Sequence, residues 1–259
     1  MRRLPLFEIE DQPWCPAAVR DGATDWLAFL GNATEAFVPV VPKITAAMEA
    51  AGTHDVLDLC SGAGGPWLSV APALDAARPG VRVELSDRFP NLPALAHVRD
   101  RSGGRVGFRA EPVDATDVPE ALGGVRTMFN CFHHFPPEAA RAVFADAVAK
   151  RRAIAIFEGC DHRALGILGV AAQLPLILAL TPLVRPIEVS RLVLTYALPL
   201  IPALVLFDGT ASMLRLYMQD ELRAMIATLD DHASFRWDVG TTRIPRAPVA
   251  ITHLVGTPR

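Results

Sequence analysis

Residues 56–65 read Val56-Leu57-Asp58-Leu59-Cys60-Ser61-Gly62-Ala63-Gly64-Gly65, and helix-like sequence starts at Trp67. A short apolar run ends near an acid and passes into a turn of very small residues. Glycine has no side chain, so backbone in such a turn can approach a bound ligand closely. The helix start behind it offers unpaired N–H groups. The stretch predicts a nucleotide-type cofactor site at the end of a parallel-sheet strand.

Two common glycine signatures fail here. A dinucleotide fingerprint needs G-x-G-x-x-G after a strand. Counting from Gly62 places Trp67 at the last required glycine. A phosphate-binding P-loop ends in Gly-Lys-Ser/Thr, and no lysine lies nearby. The stretch resembles motif I of the class I S-adenosylmethionine-dependent methyltransferases, roughly D-x-G-x-G-x-G. Asp58, Gly62 and Gly64 fall on that pattern. Cys60 stands where its first glycine usually sits. Cysteine is small, so the expectation is a modestly altered loop with the site retained.

The downstream sequence extends the resemblance. Residues 81–87 alternate as a second strand and end at Asp87. Asp87 lies about twenty residues past the glycines, where nucleotide-binding α/β folds place a ribose-binding carboxylate. Residues 106–113 read as a third strand followed by Asp114-Ala115, and 125–129 as a fourth followed by Asn130-Cys131-Phe132-His133-His134-Phe135. Residues 153–157 read as a fifth strand ending at Glu158. Near the C-terminal end, 220–229 is an amphipathic helix pattern, and 235–239 and 249–255 alternate as two strands.

The fold class expected is α/β: a doubly wound seven-stranded sheet, its last strand antiparallel, with an apolar helical insertion after the fifth strand. The domain reading is an N-terminal helical cap over 1–54, a cofactor-binding domain over 55–163 and 213–259, and a hydrophobic lid over 164–212. The resemblance implies S-adenosyl-L-methionine as cofactor. It implies that Asp58, Cys60, Ser61, Gly62, Ala63 and Gly64 cradle its methionine part, that Asp87 with Arg88 takes the ribose, and that Asp114 with Ala115 meets the adenine. Asn130 completes that set.

A net charge of −3 and a pI near 6.2 lack the basic excess of a nucleic-acid binder. Cys15, Cys60, Cys131 and Cys160 show no C-x-x-C spacing, so neither a disulfide scaffold nor a metal site is expected. The N-terminus turns acidic before any long apolar run, unlike a secretory signal. The cytoplasm is the expected location, with membrane association left open by one region.

That region is 164–207. Residues 164–184 carry no charge, and a second uncharged run follows at 192–207. They raise the mean hydropathy to +0.27. As a straight helix the first run would span ~31 Å, about a bilayer core of ~30 Å. Pro175, Pro182, Pro199 and Pro202 are expected to break both runs. Three readings stand: membrane-surface contact, a lid making an apolar acceptor pocket, or helices buried in a homodimer or the core. The lid is preferred, because insertions at strand ends commonly carry specificity.

Methyl transfer asks the protein to align acceptor, methyl and sulfur, exclude water and remove any acceptor proton. A histidine suits the last task, so His133 or His134 is the candidate base or acceptor-orienting group, and Glu158 a candidate partner for the acceptor. Asp161-His162 is a weaker candidate. The function expected is methyl transfer to a hydrophobic small molecule. The rivals are a membrane-associated nucleotide-binding module without catalysis and a nicotinamide-dependent reductase. The reductase is disfavoured because neither Tyr196 nor Tyr217 has a lysine four residues on.

Overall fold

The computed structural model describes residues 3–160 and 163–259. Seven strands form one sheet: β1 Asp55–Asp58, β2 Arg82–Leu85, β3 Val106–Phe108, β4 Val125–Phe129, β5 Ile154–Glu158, β6 Phe235–Arg243 and β7 Ala250–Pro258. Their order is β3-β2-β1-β4-β5-β7-β6. The first five are mutually parallel. β7 runs antiparallel to β5, and β6 antiparallel to β7. The chain reverses its direction of travel across the sheet between β1 and β4, which opens a crevice at their carboxyl ends.

The strands lie where the sequence pattern puts them, with two differences. β3 stops at Phe108, although Arg109 and Val113 still donate backbone hydrogen bonds to Leu85 and Asp87. Those donors are four residues apart where regular pairing would put two, so residues 110–112 bulge from the ladder. The closing hairpin is longer than its apolar alternation, because pairing carries it out to Arg243 opposite Ala250.

Both faces of the sheet are covered. α2 (Val41–Ala50), α3 (Trp67–Ala77) and α4 (Leu92–Arg101) pack on one face through Ile44, Met48, Trp67, Leu74 and Leu95. α5 (Pro137–Ala149) and α9 (Gln219–Ala227) pack on the other through Val143, Phe144, Leu222 and Ile226. Burying these side chains takes apolar surface from water at ~25 cal/mol per Å². α2 is thus a core helix. Of the described residues before β1, the first segment, α1 (Ala17–Ala33) and Phe37 border the crevice.

The insertion forms α6 (Arg163–Leu180), α7 (Val189–Tyr196) and α8 (Leu200–Arg215). Contrary to expectation, Pro175 does not break α6, which continues through it to Leu180 packed along α8. Ile177, Val184, Ile201, Leu204 and Val205 join Val19, Ala23 and Trp26 of α1 in a separate apolar cluster. A buried ion pair, Asp25 with Arg191, and a hydrogen bond from Trp26 Nε1 to Gln173 Oε1 (2.9 Å) fasten the insertion to α1.

Candidate active site

The β1–α3 turn is built on left-handed backbone. Gly62, Gly64 and Gly65 have φ of 53°, 93° and 48°. At Gly64 a Cβ would stand 2.6 Å from Val98 Cγ2, so the turn and α4 approach only because that atom is missing. Cys60 also has φ 57°. This is the conformation glycine takes freely and other residues adopt at a cost of ~1 kcal/mol or more. The departure from motif I is therefore absorbed as local strain.

Asp58 braces the turn from beneath and does not line the crevice. It is buried; Ser61 Oγ donates to its Oδ2 (2.6 Å) and Thr127 Oγ1 to its Oδ1 (2.7 Å). Burial pushes its pKa up to about 7, against those hydrogen bonds. Asp87, at the end of β2, accepts from the Gly62 N–H at 2.8 Å and the Phe89 N–H at 2.7 Å. Asp114 accepts from the Thr116 N–H and hydroxyl, and these bonds hold its pKa below the ordinary carboxylate value.

These groups border one cavity of about 590 Å³. Cys60, Ser61, Gly62, Ala63, Asp87, Arg88, Asp114, Ala115, Asn130 and His134 all line it. Asp58, Gly64, His133 and Glu158 do not. Phe37, Phe129, Phe135, Pro136 and Ala139 make its apolar wall, and Thr24, Leu27 and Ala28 of α1 line it too; Thr24 also stands against the glycine turn, where a Cβ on Gly62 would lie 3.7 Å from it. Residues 164–212 contribute nothing to the lining. The roof is therefore α1, not the lid expected over 164–212, which packs behind α1 instead. The reason is packing: Trp26, Ala23 and Val19 on the back of α1 bury against α6 and α8.

The paired histidines lie with their rings 4.4 Å apart and both approach Glu8, but they differ in burial and in their other partners. His133 is buried and donates from Nδ1 to Glu158 Oε2 at 2.6 Å. Glu158 Oε1 accepts from the Phe132 N–H at 2.8 Å. That pair orders the loop after β4 and is walled off from the cavity, so neither residue reaches an acceptor there. His134 reaches the wall. Its Nδ1 is 2.9 Å from Asp11 Oδ1 and 3.0 Å from Glu8 Oε2, and its Nε2 is 3.5 Å from Glu10 Oε1. Burial alone would lower its pKa; Glu8, Asp11 and Glu10 outweigh that and hold it well above the ordinary value.

Glu10 and Asp11 line the cavity, and sequence reasoning assigned them no role. The only signal was an acid-rich stretch ahead of the first helix. Asp208 of α8 holds the segment by accepting the backbone N–H groups of Ile9 (2.8 Å) and Glu10 (2.9 Å). Burial raises the Glu10 pKa to about 7, while Asp11 is held down at about 2, its burial outweighed by His134 and Arg215. Asp161 and His162 lie outside the described residues.

No family model and no curated protein matches this sequence. Solved structures do. The chain is similar to an O-methyltransferase from neocarzinostatin biosynthesis, NcsB1, in complex with S-adenosylmethionine and 2-hydroxy-5-methyl naphthoic acid, with 13% identity, a TM-score of 0.54 and 94% of this chain covered. The fold is that of the class I methyltransferases. It is also similar to TnmH, with 20% identity, a TM-score of 0.52 and 97% of this chain covered. An O-methyltransferase family protein from Burkholderia thailandensis follows at 18% identity, TM-score 0.50 and 91% covered. The chain spans 59%, 60% and 58% of the lengths of these three proteins.

Proposed function

We propose that the protein transfers the methyl group of S-adenosyl-L-methionine to a lipophilic small-molecule acceptor. The observation that carries this is one cavity bordered by the glycine turn, by Asp87 and Asp114 beyond two successive strands, and by an aromatic wall. The residues fit the cofactor. The turn forbids side chains where it meets α4. Each Asp87 oxygen uses one lone pair on a backbone N–H and keeps capacity for ribose hydroxyls. The volume of about 590 Å³ lies within the ~300–1,000 Å³ of small-molecule sites.

When bound, the cofactor supplies a sulfonium methyl open to in-line attack. The chain positions and excludes water. Phe37, Phe129 and Phe135 desolvate the acceptor, and α1 closes the roof. His134 orients the acceptor from the wall. Glu10, a carboxylate on the same wall, takes the proton of an acceptor hydroxyl. In the methyl-transfer chemistry, His133 and Glu158 act by holding the loop that carries His134.

The acceptor class draws support from the insertion. Leu168, Leu183, Ile187, Val189, Leu198 and Phe207 are exposed on α6–α8 and their connections. Ala164–Leu183 has a mean hydropathy of 2.0 with only 17% buried, and by length and composition it is apolar enough to cross a membrane. We read this face as resting on a lipid surface, from which a lipophilic acceptor is drawn. Membrane-associated binding without catalysis is the rival, and turnover separates the two.

Calorimetric titration with S-adenosylhomocysteine tests the cofactor; a dissociation constant in the micromolar range, about −8 kcal/mol, is expected. Absence of binding ends the methyltransferase reading. Sedimentation with phosphatidylcholine vesicles tests the surface contact. Protein left wholly in the supernatant removes the support for a lipophilic acceptor and leaves the cofactor result untouched.

A further inference from the structure

We propose that Glu8, His133 and His134 bind a divalent transition-metal ion of the zinc or cobalt kind, which clamps the N-terminal segment to the loop after β4. One ligand atom from each residue lies within 4.8 Å of the other two. His134 Nδ1 is 3.0 Å from Glu8 Oε2, and His133 Nε2 is 3.8 Å from Glu8 Oε1. Ligand atoms ~2 Å from a tetrahedral ion stand ~3.3 Å apart, so little movement is needed to close on one. Two imidazoles and a carboxylate suit borderline ions better than magnesium or calcium, which prefer oxygen.

A second observation points the same way. Glu8 is 0% exposed, and neither of its oxygens accepts a well-aligned hydrogen bond from any described residue. A buried carboxylate needs a cation beside it, and the oxygens of Glu8 are free to take direct metal bonds. Arg215 compensates in part: its Nη1 lies 3.2 Å from Glu8 Oε1 and 3.0 Å from Asp11 Oδ2. The His134 ring, 3.0 Å from Glu8 Oε2, supplies the second cation when no ion is bound, so a metal ion would displace its proton. An ion between Glu8 and the two rings would take the place of that proton and bind the carboxylate oxygens directly.

The surroundings are those of a metal-ligating histidine. Glu158 takes the Nδ1–H of His133, which turns Nε2 toward Glu8 and fixes the tautomer. Asp11 Oδ1, 2.9 Å from His134 Nδ1, is the nearest oxygen for a fourth position. No sequence motif announces the site, because Glu8 and the histidines are far apart along the chain. The proposal does not rest on the methyl-transfer reading.

The test uses the full chain, stripped with a chelator and titrated calorimetrically with Zn²⁺ and with Co²⁺, the latter followed by visible absorption of a tetrahedral cobalt complex. Saturable one-to-one binding is expected, with a rise in melting temperature. Glu8→Gln and His134→Asn should each weaken it ~100-fold or more, and Glu158→Gln, an outer partner, ~10-fold. His54→Gln, at an exposed histidine, should bind as the parent does. No saturable heat with either ion in the parent protein overturns the proposal, as does unchanged affinity in both folded ligand variants. Should one ligand variant fail to fold, the other and the parent titration decide. Titration of the same samples with S-adenosylhomocysteine reports separately on the cofactor site.

Discussion

The turn at 58–65 and the helices of 163–215 both follow a strand of the same sheet, but they treat their polar and apolar groups in opposite ways. In the turn, the Asp58 carboxylate and the Ser61, Ser86 and Thr127 hydroxyls bond one another or nearby backbone. Its conformation is held by local chemistry. In the insertion, large apolar side chains stay exposed, and order comes from packing against α1. The first region builds a site; the second supports its roof and presents an oily face outward. A strand end followed by unusual sequence is therefore not by itself part of the cavity.

The largest expected effect falls on the turn. Gly64→Ala forces a side chain onto backbone at φ 93° and 2.6 Å from Val98. It should cost ~3 kcal/mol in urea unfolding and abolish binding of S-adenosylhomocysteine. An unchanged midpoint would mean the turn is not held against α4 as described.

Glu10→Gln comes next. Turnover should drop ~10²-fold with cofactor affinity preserved. A parallel loss of affinity would move Glu10 from the chemistry to the cofactor cradle. Asp87→Ala should weaken S-adenosylhomocysteine by roughly tenfold or more, as expected for losing a charged hydrogen-bond acceptor. Equal affinity would detach Asp87 from the ribose.

Asp58 makes a pH prediction. Its folded-state pKa is about 7 against an ordinary 3.8. Between those values the native state keeps a proton that the unfolded chain has released, so the contribution of this group to stability falls as pH rises through that window. Asp58→Asn removes the titration. Its unfolding free energy should fall less between about pH 4 and about pH 7 than the parent's. Parallel profiles would refute the assignment.

The smallest effects belong to the oily face. Leu168→Ser and Val189→Ser, at side chains 66% and 74% exposed, should alter stability by no more than ~0.5 kcal/mol and leave cofactor affinity unchanged. Vesicle sedimentation should fall all the same. A large stability loss would mean this face is buried in solution, as a homodimer would bury it.

Much of the cavity was legible because its parts are local. A strand end, a glycine turn and an acid beyond the next strand are set by neighbours in sequence, and Asp87, Asp114 and Asn130 all reach the lining. The histidine pair was legible as a pair but not by role. The two rings of this 3₁₀ turn lie side by side, and only Glu158 beneath His133 and Glu10 and Asp11 beside His134 decide which one lines the cavity. The apolar stretch was legible as unusual, but its hydropathy is the same whether it faces ligand, lipid or α1.

By itself, then, the order of residues determined an α/β sheet with its crevice after the first strand, because periodicity and glycine conformation act over a few residues. Tertiary structure alone decided that α1 is the roof, that His133 is sealed away from the cavity, and that an acid-rich N-terminal stretch completes the wall. Those outcomes depend on packing and charge pairing between segments far apart in the chain, and nothing local encodes such distances.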